Sequence, residues 1–580
     1  MANVLDEQYL ASDTLRCNTK TTNLATGLMT ALTMTLSSGI AGASIGIGWR
    51  MDEFAFVGVF GFAIFLTVQV FSKSIVACLI QAMITGYLAY FVANPWLNWS
   101  IENLMLDTPG KAIVVVHGVH LLHGGMYCLF AALWWAFRKW VYLGFFAAPA
   151  LWLVLESVYP AMFPMRQGCL IVQSLPLVQV ASIFGVPGAT LQVFAIASLL
   201  PLAYLSWATA GCVEKRIENR QFKLCAILIL VATLINVSWG SYRVHRFQQQ
   251  AANFSGDYLN IGVIQGDTEY AAAHKSFTNR SRELTDCDLL LWPECALGKY
   301  QRDLVDFSDE SQVSKKSIGI GYRFRPLPNP ECYLLGGGYS WTPKKISAAE
   351  TTSAQKFGFS FRPKPKMKEK FVSAFLLDPQ EQLVGRHDKI ELMAGGEYVP
   401  FSDVFPWLED WLVEGANDGM LLTRGLEATP IGGVNGVSVG ALLCCEDMYP
   451  RLSRQMTLQG ADLIVCLTNG MSFNSDIALK QHFNIGRFRA IENNRYFARC
   501  GSFGVSGLVS PDGTVQQRLP CFEEKTASLR VPKHKRATSW FNYLGDTLTP
   551  ASYLMLISLV VLGSFNAVSK RRIPKNVSDV

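Results

Sequence analysis

Charge is scarce in this chain: Asp, Glu, Lys and Arg make up 17% of its 580 residues, against about 25% in an ordinary soluble protein. Disordered and fibrous classes are thereby excluded, because such chains are rich in charge or in repeats and poor in apolar residues. Cysteine is thin too. Its 14 copies include no C-x-x-C pair, so neither a zinc ribbon nor a disulfide framework is signalled. The balance of 51 basic against 45 acidic residues, a formal charge of +6, is too mild to imply a nucleic-acid partner. No internal repeat is visible. What is abundant is apolar surface, half of all residues, with a mean hydropathy of +0.22. That composition fits a membrane protein carrying a water-soluble part.

A bilayer core of about 30 Å takes about 20 helical residues to cross. Runs of suitable length lie at 26–48, 54–72, 75–94, 112–137, 141–158, 180–206 and 222–241, with an eighth at 549–567. The expected organisation is therefore an N-terminal segment 1–25, a membrane domain 26–245 of seven helices, a soluble domain 257–535, the eighth helix and a basic tail 568–580. The first twenty residues have no apolar core, which argues against a cleavable signal peptide, and Cys17 lacks the preceding apolar stretch of a lipid-attachment site.

Orientation follows from the short loops, since cations are retained on the cytoplasmic side. With the N-terminus inside, the inner segments hold Arg16, Lys20, Lys73, Arg138, Lys139, Lys215, Arg216, Arg220, Lys223, Lys570, Arg571, Arg572 and Lys575. The outer short loops hold Arg50, Lys111 and Arg166. This asymmetry puts residues 257–535 outside the cytoplasm, after seven crossings. Within them, 258–265, 287–292, 333–338, 371–377, 437–443 and 461–467 read as strands and 476–494 as a helix, an α/β or α+β sandwich of unspecified strand order.

Three of these apolar runs end on reactive residues. LLLWPE closes on Glu294, GRHDKIELMAGGEYVPF offers Lys389 and Glu397, and GALLCCED offers Cys444, Cys445 and Glu446. A carboxylate, an ammonium and a thiol suffice for acyl transfer: the first takes the thiol proton, and the second steadies the oxyanion. Each alone has a plainer reading, a core thiol or a solvated charge. Three in one domain, each beside an apolar strand, favour chemistry.

These residues carry a resemblance. WPE at 292–294, HDK at 387–389, GEYVPF at 396–401, LLCCE at 442–446 and QHFNIGRFRAIENNR at 481–495 resemble the nitrilase (carbon–nitrogen hydrolase) superfamily, and within it the apolipoprotein N-acyltransferases. PALWLVLES at 149–157 and QVASIFGVPG at 179–188 resemble the membrane segments of that family. The resemblance implies a multi-pass α-helical membrane domain plus an α/β nitrilase-like αββα sandwich. It also implies a Glu–Lys–Cys triad with Glu294 as general base, Lys389 as oxyanion stabiliser and a Cys at 444 or 445 as nucleophile. The family pattern of Cys, aromatic, Glu and a later Pro aligns Glu446 and Pro450, and so assigns Cys444; strand alternation sends the two thiols to opposite faces. Glu397 and Glu446 resemble further essential carboxylates that orient the site, with structural hydrogen-bond acceptors as the alternative. LMAGGEYVP departs from the family lead-in to Glu397, and 468–473 lacks the usual aspartate and tryptophan.

The implied activity is transfer of a fatty chain from a membrane phospholipid, through a Cys thioester, to the amine of diacylglyceryl-cysteine in apolipoproteins, at a bacterial inner membrane. No metal or organic cofactor is implied. A membrane-anchored amidase, an acyltransferase acting on another exported protein, and a non-catalytic scaffold are the competing readings.

Three features stand outside that scheme. The basic stretch 340–370 is either a solvated insertion or a lid on anionic headgroups. His117, His120 and His123 are read as polar helix contacts rather than metal or haem ligands. Glu156 marks a polar contact or substrate passage within the membrane.

Overall fold

The structure is a computed structural model. It describes residues 24–104, 109–137, 141–161, 163–210, 215–266, 270–297, 305–306, 327–343, 368–402, 404–405, 407–408 and 422–572. The chain forms two compact units: one comprises Met1–Glu102, Thr108–Arg246 and Tyr543–Val580, the other Asn103–Asp107 and Phe247–Asn542.

The first unit is helical. Met29–Arg50, Asp52–Phe71, Ile75–Ala93, Gly110–Phe137, Ala181–Thr209 and Arg216–Ala252 are six stretches long and apolar enough to cross a membrane. The fifth and eighth expected spans fall on helices Val141–Val158 and Leu548–Arg572, whose described apolar parts, Ala147–Val158 and Leu548–Val561, are shorter. Lipid offers helices no hydrophobic drive to associate, so they pack through small residues and polar contacts. Gly86 faces Gly124 so closely that a Cβ at Gly86 would lie 2.8 Å from the Gly124 Cα. Aromatic rings fill the middle: Phe62 stands edge-on to Trp152 at 5.4 Å and tilts on Phe194 at 5.0 Å.

The membrane polar residues are engaged within this unit. Glu156 accepts from Trp152 Nε1 (3.0 Å), the Gln167 backbone N–H (2.7 Å) and Thr190 Oγ1 (3.1 Å), joining three segments. His117 Nδ1 lies 2.8 Å from the Tyr87 hydroxyl, and His123 Nδ1 lies 2.9 Å from the Val119 carbonyl while its ring stacks on Tyr90 at 3.6 Å. His120 packs edge-on to Tyr87 at 5.8 Å and to Phe91 at 5.6 Å, with its Nδ1 and the Nε2 of His123 buried without a hydrogen-bond partner among the described residues.

The second unit is a two-sheet sandwich. One sheet runs in the order β13-β1-β2-β4-β5-β6, with β3 also on β4; the other runs β12-β11-β10-β9-β8-β7. The strands are β1 (Tyr258–Gln265), β2 (Leu289–Leu291), β3 (Val305–Asp306), β4 (Tyr333–Pro343), β5 (Lys368–Leu377), β6 (Leu383–Asp388), β7 (Gly432–Val434), β8 (Val437–Leu443), β9 (Leu463–Asn469), β10 (Tyr496–Ser502), β11 (Gly507–Val509), β12 (Val515–Arg518) and β13 (Lys525–Pro532).

Period-two alternation builds the core. Leu259, Ile261 and Val263 of β1, Val437, Val439, Ala441 and Leu443 of β8, and Leu463, Val465 and Leu467 of β9 all enter one buried cluster between the sheets. The intervening residues face helices. Phe277 of helix Tyr270–Ser281 joins Ile264, Leu290 and Trp292 in a second cluster on the outside of the first sheet. Helices Pro450–Leu458 and Asp476–Asn493 cover the second sheet, where Gly440 meets Met456 and Gly486 meets Phe497. The layering is α-β-β-α.

One expectation needs correcting. The stretch 340–370 is not a loop throughout: 340–343 belong to β4 and 368–370 to β5, paired antiparallel from Ser340↔Phe371 to Pro343↔Lys368. The remainder, 344–367, with most of the basic residues, lies outside the described residues.

Candidate active site

The parallel strands β2, β8 and β9 send their C-terminal ends toward one place. Glu294 sits three residues past β2, in a turn fixed by three backbone bonds: Trp292 N–H to Leu335 O (2.9 Å), Gly337 N–H to Pro293 O (3.2 Å) and Leu297 N–H to Gly337 O (2.8 Å). The approach of β4 to this turn demands a glycine. A Cβ on Gly337 would come within 2.6 Å of the Glu294 Cα. Gly337→Ala is therefore expected to cost about 1–3 kcal/mol, as other overpacking substitutions do, and to lower turnover by displacing Glu294; thermal unfolding and an acyl-transfer assay would check both.

Lys389 follows β6 directly, its backbone N–H bonded to Val372 O at 2.8 Å. Its side chain is buried and meets two carboxylates, Glu294 Oε1 at 3.0 Å and Glu397 Oε1 at 2.6 Å. The other oxygens are also held: Glu294 Oε2 accepts the Asn469 N–H (3.1 Å), and Glu397 Oε2 accepts the Met393 N–H (2.8 Å). Burial alone would strip the charge from Lys389, but the two carboxylates more than reverse this and hold its ammonium well above the ordinary lysine range. Burial lifts the Glu294 carboxyl above its usual value, Lys389 pulls it back and Glu397 adds to the rise.

Cys444 begins a 3-10 turn, Cys444–Met448, at the end of β8. Its backbone is left-handed (φ 48°), so the strand breaks sharply there. The thiol is buried, and the Glu294 charge acts on it. Burial and the neighbouring Glu294 charge push its pKa up to about 12, partly offset by Lys389. The resting group is a thiol, beside the Glu294 carboxyl. Cys445 points elsewhere, with Sγ 3.2 Å from Glu391 O.

The expected role of Glu446 takes a specific form. Its Oε1 accepts the N–H groups of Ile390 (2.6 Å) and Glu391 (3.3 Å), while Oε2 accepts the N–H of Leu443 (2.8 Å) and contacts His387 Nε2 (2.9 Å). It thus clamps the residues after Lys389 to the residue before Cys444, without touching either functional atom. Glu397 instead bonds the Lys389 ammonium itself.

A further cluster behind Cys444 was not singled out from the sequence. Asp447 receives His482 Nε2 (2.7 Å) and Arg499, and its carbonyl receives Arg489 Nη1 (2.9 Å). Arg499 Nη2 lies 2.9 Å from His482 Nδ1. An arginine only donates, so Nδ1 is the acceptor and the proton sits on Nε2. The signal was available in QHFNIGRFRAIENNR, where a helix places His482 and Arg489 on buried positions.

The charges make the site pH-sensitive in a definite sense. Glu294 must be ionised to accept a proton, so turnover is expected to rise with pH along a limb centred above 4.5, the ordinary value for Glu. A limb at or below that value in a pH–rate profile would contradict the arrangement. Stability behaves differently. The Glu446 pKa is lowered despite burial by His387 and three backbone donors, so its contribution is whole above 4.5 and fades as pH falls through the lowered value. His387 is raised by Glu446 against the pull of burial, so its contribution is whole below 6.5 and fades as pH climbs through the raised value.

Among the described residues no group of three or more His, Cys, Asp or Glu is placed to hold a metal ion.

Residues 267–537 match the carbon–nitrogen hydrolase family. An apolipoprotein N-acyltransferase of Geobacter metallireducens is 26% identical over 415 residues, covering 69% of this chain and 70% of the relative. One of Bdellovibrio bacteriovorus is 26% identical over 450 residues, 73% of this chain and 74% of the relative. Among solved structures, an amidase from Nesterenkonia sp. aligns with 48% of this chain and 92% of its own, at 16% identity and a TM-score of 0.32, a likeness that carries no weight.

Proposed function

We propose, on the premise that residues 267–537 are a carbon–nitrogen hydrolase domain, that this membrane protein is an acyltransferase that moves a fatty chain from a phospholipid to the N-terminal amine of diacylglyceryl-cysteine in apolipoproteins. The observation that carries this reading is the buried set of Glu294, Lys389 and Cys444 at the sheet ends, in a chain with six helices, among the described residues, long and apolar enough to cross a membrane. The names of the two bacterial relatives supply the acceptor.

The chemistry divides into two half-reactions. Glu294 takes the Cys444 proton as the sulfur attacks the donor ester, a carboxyl lifted above its usual value being the stronger base. Lys389 and the N–H after the nucleophile stabilise the oxyanion. The lysophospholipid alkoxide leaves with the proton from Glu294, and a thioester remains. The acceptor amine then attacks that thioester, gives a proton to Glu294, and the amide forms as Cys444 returns to the thiol.

Both substrates are held in lipid by acyl chains, whose extraction costs about 0.8 kcal/mol per buried CH₂. A site at the membrane surface avoids that cost, and a helical membrane part is the means. The Lys and Arg asymmetry of the loops supports placing 257–535 on the extracytoplasmic face of a bacterial inner membrane.

The test is mass spectrometry of the full chain after incubation with phosphatidylethanolamine alone. A fatty-acyl increment on the 444–445 peptide, removed by neutral hydroxylamine, is expected. Absence of an increment, together with ammonia release from small amides, would assign an amidase instead.

A further inference from the structure

Away from the active site, on the opposite side of the Glu294 turn, two buried cysteines meet. Cys287 Sγ lies 2.9 Å from Cys332 Sγ, closer than two unbonded sulfur atoms ordinarily sit. Neither belongs to the acyl-transfer machinery, and both are almost wholly shielded from solvent.

The backbone brings the two positions near each other. Cys287 is two residues before β2 and Cys332 is one residue before β4, and these strands are parallel neighbours in the register Leu289↔Tyr333. The pair is therefore diagonal across adjacent strands. Neighbouring strands lie about 4.7–4.9 Å apart and rise about 3.3 Å per residue, so a pair offset by one residue is separated by about 5.8 Å, within the span of Cα separations of about 4.4–6.8 Å that a disulfide bridges. Asn329 locks the approach: its Nδ2 bonds Thr285 O (2.8 Å) and Cys287 O (2.9 Å), and its Oδ1 takes the Glu331 N–H (2.9 Å). Tyr333 N–H to Asp288 O (2.9 Å) closes the same junction.

We propose that Cys287 and Cys332 form a disulfide bond that ties the start of β2 to the start of β4. The proposal rests on the reading that residues 257–535 face an oxidising, extracytoplasmic compartment. Two thiols lose two electrons and two protons to the disulfide of an exported thiol–disulfide oxidoreductase, which is reduced to its dithiol as the Cys287–Cys332 bond forms. Because the folded thiols are shielded, the exchange takes place before β2 and β4 close together. The bond then encloses residues 288–331, and with them Glu294.

Cells producing the full chain are quenched in acid, and their membranes are denatured and alkylated without reductant. The expected product is a cross-linked pair of peptides carrying 287 and 332, two hydrogens lighter than the separate thiols and separable only by reduction. Loss of the bond in a Cys287→Ser, Cys332→Ser variant should lower the unfolding midpoint by roughly 5–10 °C. Alkylation of both cysteines in the wild-type protein would overturn the proposal without needing any variant to fold. Acyl loading of Cys444, read on the same preparation, keeps the two readings apart. Loaded protein with both thiols alkylated overturns the disulfide alone, whereas unloaded protein carrying the cross-link supports it and counts against the acyltransferase.

Discussion

Replacing Cys444 by alanine is expected to abolish phospholipid-dependent acyl loading and to reduce transfer by roughly 10⁴–10⁶-fold, the scale seen when a covalent nucleophile is removed. Cys445→Ala should retain transfer within about tenfold and keep the full acyl increment. The contrast follows from geometry. The Glu294 charge acts on the buried Cys444 thiol, whereas the Cys445 thiol donates to Glu391 O. Intact-peptide mass spectrometry of both variants, with a gel-shift assay for acceptor lipidation, reads the difference directly. Equal loss in both variants would remove the assignment, and retained loading in Cys444→Ala would sink it.

Lys389→Met should be nearly as damaging, through two separable effects. The first is electrostatic: without the ammonium the developing oxyanion loses a preorganised donor, which costs about 10²–10³ in turnover. The second is structural. Glu294 and Glu397 would be left side by side with no cation between them, and removing one partner from a buried ion pair costs about 3–5 kcal/mol. A Lys389→Met, Glu294→Gln double variant relieves the second effect and leaves the first. Its unfolding midpoint is expected to recover part of the loss while its activity stays absent; additive destabilisation in the double variant would show that the pair is not coupled.

Much of this was legible in the sequence, and the reasons differ by element. β1 and β8 were readable with their exact bounds because each is a strong apolar run ended by polar or reactive residues. The helix Asp476–Asn493 was visible for its periodicity, read over 476–494. β10, which reads Tyr496 to Ser502, escaped notice because Arg499 interrupts it. That arginine points away from the inter-sheet core to meet Asp447 and His482, a long-range partnership that no local pattern encodes. β6, β11 and β12 are short or mixed strands whose identity comes from their neighbours rather than from their own residues. At the site, residue types and motif order singled out Glu294, Lys389 and Cys444. The fourfold engagement of Glu446 was not readable, since three of its partners are backbone amides, which every sequence position possesses.

That Glu446 carboxylate works as a rivet between two strand ends. The segments that carry the Lys389 ammonium and the Cys444 sulfur are joined by a group that neither of them contacts. A scaffold fastened in this way can have its entrance widened, greased or reshaped to admit a long hydrocarbon without retuning the chemistry inside.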